Sequence, residues 1–160
     1  MPMLERLLIF YGYPLGDANR RNYSRLTLSS TAVKGMRQLK SIYLSRVDVD
    51  KFFMQQLAST AKLTKLDFEG SRKRIYPQSF FLQINLMSDL EELGLRVNAA
   101  CNVDKLLSPQ QLWKLKKLNV YGLEEQQEIA LRNKFACLKQ VLINHSRSSP
   151  WLVDSPSYAF

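Results

Sequence analysis

The sequence predicts an α/β fold: a solenoid with parallel strands on its concave face and helices on its convex face. Three observations predict it. A six-residue apolar template recurs at near-constant spacing, polarity alternates inside the template, and amphipathic helical stretches separate successive templates.

The template has apolar residues at its first, fourth and sixth positions. Five segments fill it: Leu39-Ile42-Leu44, Leu63-Leu66-Phe68, Leu90-Leu93-Leu95, Leu115-Leu118-Val120 and Leu138-Val141-Ile143. Their first residues lie 24, 27, 25 and 23 positions apart. Side chains of an extended strand alternate between two faces, so the fourth and sixth residues share one face and their neighbours take the other. A strand that buries one side only needs flanking strands and a backing layer. Leu4-Leu7-Ile9 fits the template as well. Tyr23-Leu26-Leu28 fits with an aromatic first residue, but the step of 16 to Leu39 is too short for a helix. The expectation is six or seven repeats.

The backing layer is legible between templates. After Asp48, an expected N-cap, Val49, Phe52, Phe53 and Leu57 fall at helical spacing. After Pro77 come Phe80, Phe81, Ile84 and Met87 on one helical face. Ser108-Pro109-Gln110-Gln111 reads as a capping box that opens a helix with Leu112 and Trp113. Glu124 to Phe135 has the acidic start that suits a helix N-terminus. One strand and one helix per repeat require the strands to stack in parallel, with the helices outside.

With these residues in place, the run Leu39 to Ser146 resembles leucine-rich repeats, L-x-x-L-x-L followed by two residues and an Asn or small residue. Ser71, Asn98 and Ser146 fill that last position, and Val47 and Leu123 depart from it. The repeat lengths are similar to the ribonuclease-inhibitor-like and F-box-receptor varieties, and to plant immune-receptor repeats. The resemblance implies a protein-protein interaction module, an adaptor or substrate-receptor-like domain without cofactor. It would span residues 1–147 with its core at 39–146, and residues 148–160 would form a tail or an irregular cap.

The implied partner surface is the concave face. The residues expected there include Tyr43, Lys65, Asp67, Glu69, Glu92, Arg96, Lys117, Asn119, Tyr121 and Leu142. Tyr43, Arg96 and Tyr121 are the expected anchors, because aromatic residues and Arg dominate binding hot spots.

Charge offers an alternative. The 23 Lys and Arg against 14 Asp and Glu leave a net charge of +9, which favours acidic partners, nucleic acid or anionic membrane. A nucleic-acid-binding protein would use Arg72, Lys73 and Arg74, with Tyr76 beside them for stacking, and the group Lys114, Lys116 and Lys117.

No catalytic constellation is visible, and the expectation is a non-enzyme. His145 is the single histidine, and none of the six glycines makes a phosphate-cradling loop. Cys101 and Cys137 match no zinc spacing and read as reduced, half-buried small hydrophobes. No apolar run reaches the ~20 residues of a membrane-spanning helix, and Leu7 to Tyr11 is too short for a signal-peptide core. An intracellular protein, cytoplasmic or nuclear, is the default. The first template begins at Leu4 without a preceding cap, which suggests part of a longer repeat protein or an edge covered by a partner.

Overall fold

The computed structural model describes residues 4–10, 26–70, 74–138 and 140–144. The proposed tail at 148–160, together with His145, Ser71, Ser146, Arg72 and Lys73, lies outside these residues. The chain is α/β. Its strands are β1 (Arg6–Phe10), β2 (Thr27–Leu28), β3 (Ser41–Ser45), β4 (Asp48–Val49), β5 (Lys65–Glu69), β6 (Glu92–Arg96), β7 (Lys117–Tyr121) and β8 (Gln140–Asn144). Six of them form one sheet in the order β1-β3-β5-β6-β7-β8, with every pair parallel. Helices α1 (Phe53–Thr60), α2 (Gln78–Asn85), α3 (Val103–Leu106) and α4 (Glu125–Lys134) fill the connections, each touching the next.

The five templates become β3, β5, β6, β7 and β8 in one unbroken register, so Ile42, Leu66, Leu93, Leu118 and Val141 are successive partners. The fourth-position row from Ile42 to Leu118 is fully buried, and so is the sixth-position row of Leu44, Phe68, Leu95 and Val120. Phe53, Met54 and Leu57 of α1 and Phe80, Phe81 and Ile84 of α2 join the same apolar cluster. The strand starts are locked by shared carbonyls. Lys40 O accepts from Thr64 N and Lys65 N, Thr64 O from Glu91 N and Glu92 N, and Glu91 O from Lys116 N and Lys117 N. That repeated bifurcation fixes the register that the leucine spacing predicts.

Where long-range hydrogen bonds compete with periodicity, the expectations need correction. Asp48 does not cap α1; it pairs with Thr27 in the two-stranded β2-β4 sheet. Asp50 turns the chain instead, its Oδ1 accepting from Phe52 N at 2.9 Å and its Oδ2 from Ser30 N at 2.6 Å. Burial pushes that carboxyl up, and the amide hydrogen bonds outweigh this and hold it below the ordinary carboxylate value. Phe52 consequently faces solvent, with Lys51 Nζ 4.8 Å from its ring. The segment after Ser108 makes turns and no helix. Its start is held from α2: Asn85 Nδ2 donates to Leu106 O at 2.8 Å, and Asn85 Oδ1 accepts from Ser108 N at 3.0 Å. The helical unit of that repeat lies earlier, as a 3₁₀ turn at Ala99–Cys101 capped by Asn98 and followed by α3. In the Tyr23-Leu26-Leu28 unit, Leu28 pairs with β4 and adds no strand to the main sheet. Cys101 is buried and Cys137 exposed, so neither is half-buried.

The turn after β7 depends on Gly122. Its φ is +87°, and an added Cβ would stand 2.5 Å from the carbonyl oxygen of Val97. Gly122→Ala therefore destabilises the fold by roughly 1–3 kcal/mol, read as a lower urea midpoint. An unchanged midpoint would mean that the turn relaxes freely.

Candidate functional site

The sheet face opposite the apolar cluster carries the polar template positions in three register rows. The first holds Lys65, Glu92 and Lys117; the second Tyr43, Asp67, Gly94 and Asn119; the third Ser45, Glu69, Arg96 and Tyr121. Every expected partner-facing residue is on this face by register. Leu142 stands opposite Asn119 in β8.

Two rows are laced by charge. Glu92 sits between Lys65 Nζ at 3.0 Å and Lys117 Nζ at 3.6 Å. The first of these is close enough for charge attraction, although its angle leaves Glu92 Oε2 without a hydrogen bond. In the third row Glu69 accepts from Ser45 Oγ at 2.5 Å and from Arg96 Nη1 at 2.9 Å. The Arg96 guanidinium then lies 5.1 Å from the Tyr121 ring. The first row is half-buried and screened, so its pairs contribute little stability. The third is more enclosed and fixes the geometry of four strands.

The middle row is different. Asp67 is 6% exposed and Asn119 3%, and Gly94 between them has no side chain. Among the described residues Asp67 Oδ2 and Asn119 Oδ1 have no hydrogen-bond partner, nor do Arg96 Nη2 and Tyr121 OH beside them. A buried polar atom left without a partner costs about 1–3 kcal/mol. Burial pushes the Asp67 carboxyl up to about 7, the neighbouring Glu69 adds to this, and Lys65 and Arg96 oppose it. Burial likewise raises the Tyr121 phenol, with Arg96 opposing, so it stays neutral.

Toward β1 the face turns apolar. Leu8 and Phe10 point outward at 44% and 55% exposure, and the Phe10 ring packs 4.9 Å from half-buried Tyr43. These two residues were not among the expected contacts, although the phase of Leu4-Leu7-Ile9 places them on the outer side. Among the described residues no group of three or more His, Cys, Asp or Glu is placed to hold a metal ion.

Of the basic run, Arg74 is among the described residues. Arg74 Nη1 lies 3.9 Å from Asp48 Oδ2, and its guanidinium stands 5.2 Å from the Tyr76 ring. Tyr76 is buried against Phe68 and Phe80, which removes it as a stacking surface for a base. Among the described residues no helix is long and apolar enough to cross a membrane. Compared with protein-family models, curated proteins and solved structures, the chain finds no match.

Proposed function

We propose that the chain is a leucine-rich-repeat-type solenoid segment that binds a protein partner on its open strand face, as an adaptor or substrate-receptor-like module and not as an enzyme. The solenoid reading is supported by parallel strands that follow chain order, share one register and alternate with helices. The observation that carries the binding reading is the exposed pair Leu8 and Phe10, with half-buried Tyr43 against Phe10, on the same face as the charged ladders. Large apolar and aromatic side chains held toward water on a regular surface mark contact sites, and a polar surround sets their specificity. The buried atoms of Asp67, Asn119, Arg96 and Tyr121 that lack a partner among the described residues are further groups that a partner could satisfy. Neither histidine nor cysteine occupies the open-face positions of the described strands.

Photo-crosslinking from the position of Tyr43 tests this in the native cell, with Leu86, exposed at the end of α2, as control. Discrete protein adducts form from Tyr43 and fall about fivefold or more with Phe10→Ala, as loss of a hot-spot aromatic requires. Equal labelling from both positions, or adducts indifferent to Phe10, would sink the reading.

A further inference from the structure

A second surface lies at the edge where β3, β5, β6 and β7 begin. A trough of about 800 Å³ runs there between the turn after a 3₁₀ helix at Ser30–Val33 and the end of α1. It is lined by Lys34, Arg37 and Lys62 together with the polar Gln56, Ser59 and Thr60, which are hydrogen-bonded among themselves. It continues past Leu39 and Thr64 to Lys114, sharing Arg37 and Lys62 with the first part. Crossing four strands, it extends on the order of 15 Å.

The charges along it are of two kinds. Lys40 and Lys114 are paired with Glu5 and Asp89, and the lining Glu91 is paired with Lys116 outside it. Among the described residues Lys34, Arg37 and Lys62 have no ion-pair partner, and all three are exposed. Lys114 draws the Asp89 carboxyl down, with Lys62 adding from further off. The carboxylates of the trough are thus engaged, while three cations are left unmatched in a chain of net charge +9. The carbonyl end of α1 at Thr60 works against an anion, and the flanking cations offset it. Beyond Lys114 stands Trp113, 67% exposed, with Lys114 Nζ 5.0 Å from its ring.

We propose that this edge binds single-stranded nucleic acid, with phosphates on Lys34, Arg37 and Lys62 and a base stacked on Trp113. The wall of the trough combines unmatched cations and polar groups with apolar surface, which suits the phosphates and sugar faces of a nucleic-acid strand. An exposed indole beside a cationic track supplies the sequence-tolerant stacking that single strands use. The site is separate from the strand face and from Arg74, whose guanidinium lies by Asp48 and Tyr76.

The test is a fluorescence titration of the full chain with an oligodeoxythymidylate in a Trp151→Phe background, so that Trp113 alone reports. Saturable quenching is expected, with affinity falling steeply between 50 and 200 mM salt as counterions are released. Arg37→Glu with Lys62→Glu lowers affinity at least tenfold and flattens the salt slope, and Trp113→Ala, followed by a gel assay, lowers it about tenfold. Unchanged melting midpoints certify that these exposed-site variants fold. Absence of binding at 50 mM salt, binding indifferent to the charge reversal, loss only with reversal of Arg72 to Arg74, or equally tight binding of polyglutamate would each overturn the proposal.

Discussion

Leu118→Asp abolishes cooperative folding, whereas Lys117→Asp, one residue away, lowers the melting midpoint by only a few degrees. Leu118 is fully buried and stands in register between Leu93 and Val141. The substitution removes a buried leucine, about 1.5–3 kcal/mol, and puts an unpaired carboxylate in its place at a further ~3–5 kcal/mol. That sum rivals the whole stability of a domain, about 5–15 kcal/mol. Lys117 is half-exposed, and its loss breaks the 3.6 Å contact to Glu92 while Lys65 still holds that carboxylate. An exposed pair contributes about 0.2–1 kcal/mol, and a new like charge across the strands adds a similar penalty. Thermal melts followed by circular dichroism separate the two outcomes. Comparable losses would mean that the faces of β7 are assigned in the wrong phase.

The contrast between these neighbours also shows what was legible in the sequence. Burial on one face leaves a period of two in the residues, so β3, β5, β6, β7 and β8 lie where their leucines place them. The register followed because equal spacing lets each strand start share a carbonyl with the next, as Thr64 does with Glu91 and Glu92. Hydrogen bonds across the chain leave no such trace. Asn85 reads as one more polar helix residue, yet its amide reaches residues 106 and 108 and holds the start of a segment that resembles a helix. Asp48 and Asp50 are equally plausible caps by type; pairing of the first with Thr27 leaves the turn to the second. The open face was legible as a set of residues and illegible as an environment. Asp67, Asn119 and Tyr121 look solvated on an alternating strand, and neighbours some two dozen residues away in sequence bury them. The trough of Lys34, Arg37 and Lys62 arises in the same way, from two short segments that only the fold brings together.

Asp67→Asn stabilises the protein at pH 8 and flattens its dependence of stability on pH between about 4 and 7. The carboxyl of Asp67 is raised from 3.8 to about 7, chiefly by burial. Between these values the folded chain holds a proton that the unfolded chain has released. Stability therefore falls as pH rises through this window, and above pH 7 the folded state carries a buried, poorly compensated charge. A rise of that size corresponds to about 4 kcal/mol at most, and relaxation around the site reduces it. Asparagine keeps the shape and removes the ionisation, so the gain on substitution is largest at pH 8 and vanishes near pH 4. Urea midpoints of both proteins across this range measure it, and parallel pH profiles would refute the buried charge. A carboxylate that weakens the fold, on the proposed contact face and with an oxygen lacking a partner among the described residues, fits a residue that serves binding rather than stability. A partner that donates hydrogen bonds to it favours the ionised form, so binding below pH 7 releases a proton. Asp67→Asn should then raise the melting midpoint while reducing the crosslinking from Tyr43, and a variant that gains stability without losing adducts would detach Asp67 from recognition.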